Sequence, residues 1–78
     1  MNPKEIAKDH ERLWKNLRLI QKSVGIKNLC ALLDISLGTW SNRMKEPWSR
    51  FSYDDLRAIA RFCKIDFVQI VNGELKIG

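Results

Sequence analysis

The sequence predicts an all-α fold, a compact bundle of about five helices, and three observations predict it. Apolar residues recur along the chain at the three- and four-residue steps of one helix face. Only short punctuation separates these periodic segments, with no internal repeat, low-complexity tract or long linker. The chain has 78 residues, 45% of them hydrophobic. That is room for a single domain, which needs efficient helix packing to bury enough surface.

The first helix places Leu13, Leu17, Ile20 and Val24 on one stripe, with Trp14 beside it and Arg12, Lys15, Arg18 and Lys22 turned elsewhere; it ends near Gly25. Residues 27 to 34 form a second, shorter helix in which Leu29, Leu32 and Leu33 point one way and the small Cys30 and Ala31 permit close approach. Asp34-Ile35-Ser36 reads as a tight joint, because aspartate tolerates the left-handed conformation and serine is a strong N-cap. Ile35 and Trp40 bracket that cap as a hydrophobic staple. A third helix runs from Leu37 to about Lys45, with Trp40 and Met44 buried and Pro47 ending it.

Residues 46–51 are expected as an exposed loop. Ser52 and Asp55 then have the spacing of a capping box for a fourth helix, whose Leu56, Ile59, Ala60 and Cys63 face inward and which stops near Lys64. Asp66 caps a fifth helix with Phe67, Ile70 and Val71 inward, and Asn72-Gly73 supplies a left-handed stop. The domain spans 1–78, with its core at about 12–73 and a short tail, 74–78, whose alternation suits a strand if something pairs with it.

Charge narrows the function. Fourteen Lys and Arg against nine Asp and Glu give a formal +5. Residues 1–50 hold ten basic and five acidic side chains and residues 51–78 hold four of each, so the whole excess lies in the first two thirds. An anionic partner is the first expectation, and a plainly solvated surface is the alternative. Cys30 and Cys63 read as small buried hydrophobes in a reducing compartment, and His10, in a charged stretch far from either, as solvated. No run approaches the ~18 apolar residues of a membrane span, and the amino terminus has no apolar signal segment, so a cytoplasmic protein is expected. There is no nucleophile paired with a histidine, no glycine-rich phosphate loop and no acid cluster for a metal. Neither an enzyme nor a cofactor or small-molecule substrate is expected.

A short helix, a three-residue turn and a second helix with a polar outer face make up the DNA-binding helix-turn-helix. A helix that enters a major groove about 12 Å wide needs a slim, polar exposed face and an inner face that anchors it. Leu37, Gly38, Thr39, Ser41, Asn42, Arg43 and Lys45 meet the first need, and Ile35, Trp40 and Met44 the second.

Leu29-Cys30, Ile35-Ser36, Thr39-Trp40-Ser41-Asn42-Arg43-Met44, Pro47, Phe51, Asp55-Leu56-Arg57-Ala58-Ile59-Ala60 and Ile70-Val71-Asn72-Gly73 follow one another in an order that resembles the Cro/XRE family of bacterial and phage regulators. The likeness covers roughly residues 12–73, and small phage Cro-like members look most similar. It implies a lambda-repressor-like DNA-binding domain. The chain departs from the family pattern at Cys30, where alanine is usual, at Asp34, where glycine is usual, and at Ile26, where many members have a glutamine that bonds a phosphate.

The resemblance implies base readout by Leu37, Gly38, Ser41, Asn42 and Arg43. Asn42 would pair with adenine and Arg43 would reach guanine or a phosphate, its alternative being a solvated charge. Leu37 would read a thymine methyl or cover the staple. Gly38 would admit the DNA backbone or simply be tolerated early in a helix. Lys27, Asn28, Ser36, Thr39, Lys45 and Arg50 would hold phosphates. Trp14 and Trp40 are expected in the core, whereas Trp48 has three open roles: core edge, sugar-phosphate contact or partner contact.

The implied function is a sequence-specific double-stranded DNA-binding transcriptional regulator, a phage or prophage Cro-like repressor acting as a homodimer by promoter occupancy. A protein-binding antirepressor or antitoxin-like module is the competing reading. A sequence-indifferent architectural or RNA-binding protein is a third.

Overall fold

The computed structural model describes residues 3–73, with side chains from Lys8 onward; the strand expected in the tail, 74–78, lies outside the described residues. Six helices follow one another and no strand occurs among the described residues. They are α1 (Pro3–Val24), α2 (Ile26–Leu33), α3 (Leu37–Arg43), α4 (Pro47–Arg50), α5 (Tyr53–Cys63) and α6 (Phe67–Val71).

α1 is the spine, packing against α2, α4 and α6, while α5 closes against α2 and α6. It begins well before the apolar stripe. Pro3 suits its first turn, because a first-turn amide has no helical partner to lose. Leu13, Leu17 and Ile20 are buried as expected, but Trp14 is 39% exposed. Its place one residue past Leu13 carries it about 100° around the helix, off the stripe. Asn16 takes a core position instead, at 3% exposure.

Gly25, at φ 90° and ψ 138°, breaks α1 from α2 with a conformation that side chains rarely adopt. In α2 the inward residues are Ile26, Leu29, Cys30 and Leu33, whereas Leu32, expected inside, is 36% exposed. The steps of three, four and seven from Ile26 explain the difference, since Leu32 lies off that face.

The joint after α2 forms as the sequence indicates. Asp34 is left-handed (φ 56°, ψ 50°), and the Ile35 amide donates to the Cys30 carbonyl at 3.0 Å. Lys64 repeats this geometry after α5 (φ 57°, ψ 42°), with the Ile65 amide donating to the Ala60 carbonyl at 2.9 Å. The joint therefore occurs twice, though the sequence shows no repeat. Its essentials are a left-handed residue, an isoleucine and a capping residue, Ser36 or Asp66, and these tolerate different neighbours.

Two expectations about the middle of the chain are corrected. α3 stops at Arg43 rather than Lys45, and Pro47 does not end it; Pro47 opens α4 inside the segment expected as an exposed loop. Proline without an amide hydrogen is well placed at a first helical position. Pro47 and Phe51 are both buried, and the Phe51 ring meets Trp40 edge-on at 5.2 Å, so these two residues join the core while the other four stay exposed as expected.

The stop after α6 is also different. Asn72 has φ −126° and ψ −17°, and Gly25 is the only glycine at positive φ among the described residues. Asn16 Nδ2 replaces a left-handed stop by donating to the carbonyls of Gln69, Ile70 and Gly73 at 3.2, 2.8 and 2.8 Å. A side chain from α1 thus satisfies the open end of α6.

Candidate nucleic-acid interface

α3 is presented by its two ends and its inner face. Ser36 Oγ accepts the Thr39 amide at 3.1 Å, capping the first turn, and the Ser36 and Thr39 hydroxyls share a 3.0 Å hydrogen bond. Trp40, 1% exposed, anchors the inner face, and its indole donates to Gln21 Oε1 of α1 at 2.9 Å. Met44 follows one turn later at 9% exposure. A bulky ring held both by packing and by a hydrogen bond fixes the rotation of a seven-residue helix that has little stability of its own.

That rotation turns Leu37, Gly38, Ser41 and Asn42 outward, and Lys45 just beyond the helix continues the row. All five are exposed, at the steps that define one helical face. A Cβ added at Gly38 would meet only Ser36 Oγ, at 3.9 Å, so no contact within the chain requires glycine there.

The remaining positions divide. Lys27 at the start of α2 and Lys45 form no ion pair among the described residues. Asn28 Nδ2 donates to the Val24 carbonyl at 2.5 Å, tying the end of α1 to the start of α2. Arg43 leaves the outward row. It is half-buried, donating to Asp55 Oδ2 at 2.8 Å, with its guanidinium 5.8 Å from the Phe51 ring centre. Asp55 Oδ2 also accepts the Ser52 amide at 3.1 Å while Ser52 Oγ accepts the Asp55 amide at 3.1 Å, so the expected capping box forms and Arg43 is joined to it. Arg50 folds back across α3, donating to Asn42 Oδ1 at 2.6 Å and to the Asn42 carbonyl at 3.2 Å.

Trp48 packs at the edge of the core and is still 42% exposed. Its ring stacks on His10 at 4.2 Å between centres and 3° between planes, binding α4 to α1. His10 is therefore partly covered rather than solvated. Trp14 lies in the same shallow depression, with Glu11 and Lys45 on its rim, and Arg18 lies over the Trp14 ring at 5.2 Å.

Sequence reasoning missed four partnerships: Asn16 with α6, Gln21 with Trp40, Arg43 with Asp55 and Arg50 with Asn42. Asn16 alone carries a signal in the sequence, as a polar residue at a buried step between Leu13 and Ile20. The others join residues 8 to 19 positions apart across different elements, which no periodicity reports.

No group of three or more potential metal ligands gathers among the described residues, and no described helix is long and apolar enough to cross a membrane. Cys30 is buried, and Cys63 is half-buried with its thiol pushed up by desolvation. Fold and site together define a small all-α domain whose helix-turn-helix carries a polar outer face. Comparison with protein-family models, curated proteins and solved structures finds no match to the chain.

Proposed function

We propose that this protein is a sequence-specific double-stranded DNA-binding regulator of transcription that resembles the Cro/XRE repressors of phages and prophages, and that it acts from the cytoplasm by occupying a promoter. The observation that carries this reading is the outward row Leu37, Gly38, Ser41, Asn42 and Lys45 on a helix locked to the core by Trp40. The row is slim at Gly38, offers hydrogen-bonding groups at Ser41 and Asn42, and ends in a cation. Lys27 lies on the neighbouring helix, and the chain carries a net +5 that favours a polyanion.

A single domain of this size covers little DNA. A homodimer reading two half-sites about one helical turn apart is the working form that such a face suits.

The test is a mobility shift with duplex DNA from upstream of the protein's own gene, challenged by excess random duplex at modest salt. A retained specific band is the expected result. Absence of any shift overturns the reading and favours a second one, an antirepressor or antitoxin-like module that binds protein. The observation on that side is the apolar surface at Leu37, Trp14 and Trp48, which are 49%, 39% and 42% exposed.

A further inference from the structure

The clamp of Arg50 on Asn42 bears on which base α3 can read, given the DNA-reading function proposed above. Arg50 is the last residue of α4, and one of its nitrogens, Nη1, donates both to Asn42 Oδ1 at 2.6 Å and to the Asn42 carbonyl at 3.2 Å. Its Nε lies 3.7 Å from Glu46 Oε2 on the same helical stretch. The guanidinium is therefore held from one side by Glu46 while it grips both oxygens of Asn42. A charge-assisted bond of this length orients the carboxamide with Oδ1 toward Arg50 and Nδ2 away from it.

That orientation decides what the amide offers a groove. Pairing of asparagine with adenine needs Oδ1 to accept from the adenine N6 amino group while Nδ2 donates to N7. In this chain a cation already bonds one lone pair of Oδ1, and an amino group approaching the other brings its positive hydrogens toward that charge, which disfavours adenine. The guanine edge presents two acceptors, O6 and N7, and no donor. A hydrogen of Nδ2 can go to either acceptor, and that negative edge is favoured by the nearby guanidinium. Arg43, the other candidate for guanine, is held by Asp55 at 2.8 Å.

We infer that Arg50 is a positioning residue rather than a phosphate contact, and that by placing its charge at Oδ1 and orienting the carboxamide it biases Asn42 toward guanine in the major groove. Because Arg50 begins on α4, the proline-opened turn is what brings a specificity-determining group to α3. A residue on α4 then sets which base a residue on α3 reads.

The experiment is selection from a pool of random-sequence duplexes with the wild-type chain and with Asn42→Ala and Arg50→Met, each checked for folding by circular dichroism. Arg50 is exposed, and methionine keeps the length of its stem. In the wild type, the position whose preference vanishes in Asn42→Ala is expected to be guanine. In Arg50→Met the guanine-to-adenine ratio at that position should fall roughly tenfold, the scale of one lost base discrimination, while the slope of log affinity against log salt stays unchanged.

Adenine at that position in the wild type overturns the inference, as does an unchanged ratio in Arg50→Met. A uniform loss of affinity with a shallower salt slope identifies Arg50 as a phosphate contact and also overturns it. Failure of the wild type to enrich any sequence is a different result, which removes the DNA-reading proposal itself.

Discussion

Gly38 and Asn16 are two contrasting positions in this chain, one with open space around it and one buried in a hydrogen-bonded cap. The space around Gly38 is open and its backbone is helical, so Gly38→Ala should stabilise the free protein by roughly 0.5–1 kcal/mol, read by thermal or urea denaturation. If the proposed function holds, the same methyl should weaken binding to specific DNA, because it would stand where that reading places the duplex backbone. A variant that gains stability and keeps its affinity would show that Gly38 is merely tolerated. Asn16 belongs to the opposite case. Asn16→Ala removes the donor shared by the carbonyls of Gln69, Ile70 and Gly73 and should cost about 1–3 kcal/mol of stability. Amide exchange should accelerate first in α6, whose end that donor satisfies, and equal acceleration throughout the chain would contradict a local role for the cap.

At the scale of elements, the start of α5 and the last residue of α3 are one assembly. Ser52→Ala removes a cap and should cost about 1 kcal/mol. Asp55→Ala should cost more, because it removes the return bond to the Ser52 amide and the partner of Arg43 together. The ion pair itself adds at most ~1 kcal/mol, since both side chains keep about a quarter of their surface in solvent. Arg43→Ala should accordingly lower the denaturation midpoint and leave the selected DNA sequence unchanged. A changed base at any position would return Arg43 to the reading face. The second left-handed joint, at Lys64, makes a related point. α5 and α6 are joined as α2 and α3 are, yet Phe67 and Ile70 of α6 pack inward and Val68 lies exposed beside them. The two joints share a geometry, and the helices that follow them differ in the chemistry of their outward rows.

For the whole molecule, the proposed regulator should bind DNA with a steep, linear dependence of log affinity on log salt. A dimer making about 6–10 phosphate contacts should lose about 10³–10⁵-fold between roughly 50 and 200 mM salt, and Lys45→Ala should make the slope shallower by about one unit per subunit. A flat salt response would leave the +5 charge unexplained by nucleic acid. Much of this molecule was legible in the sequence: the all-α class, the Asp34-Ile35-Ser36 joint, the Ser52–Asp55 box, the anchoring Trp40 and five of the seven residues expected on the outer face of α3, Thr39 and Arg43 being half-buried instead. These follow from local rules, since helix period, capping and left-handed tolerance act over only a few residues. Trp14, Leu32 and the loop expected at 46–51 were misjudged because burial of one face is settled by what packs on it. Tertiary structure alone decided that Asn16 would cap α6, that Arg43 would leave the outward row for Asp55, and that Arg50 would take hold of Asn42. Each is a polar group finding its partner across space. Sequence determines which groups need partners, and only the packed chain determines which of them come within hydrogen-bonding distance.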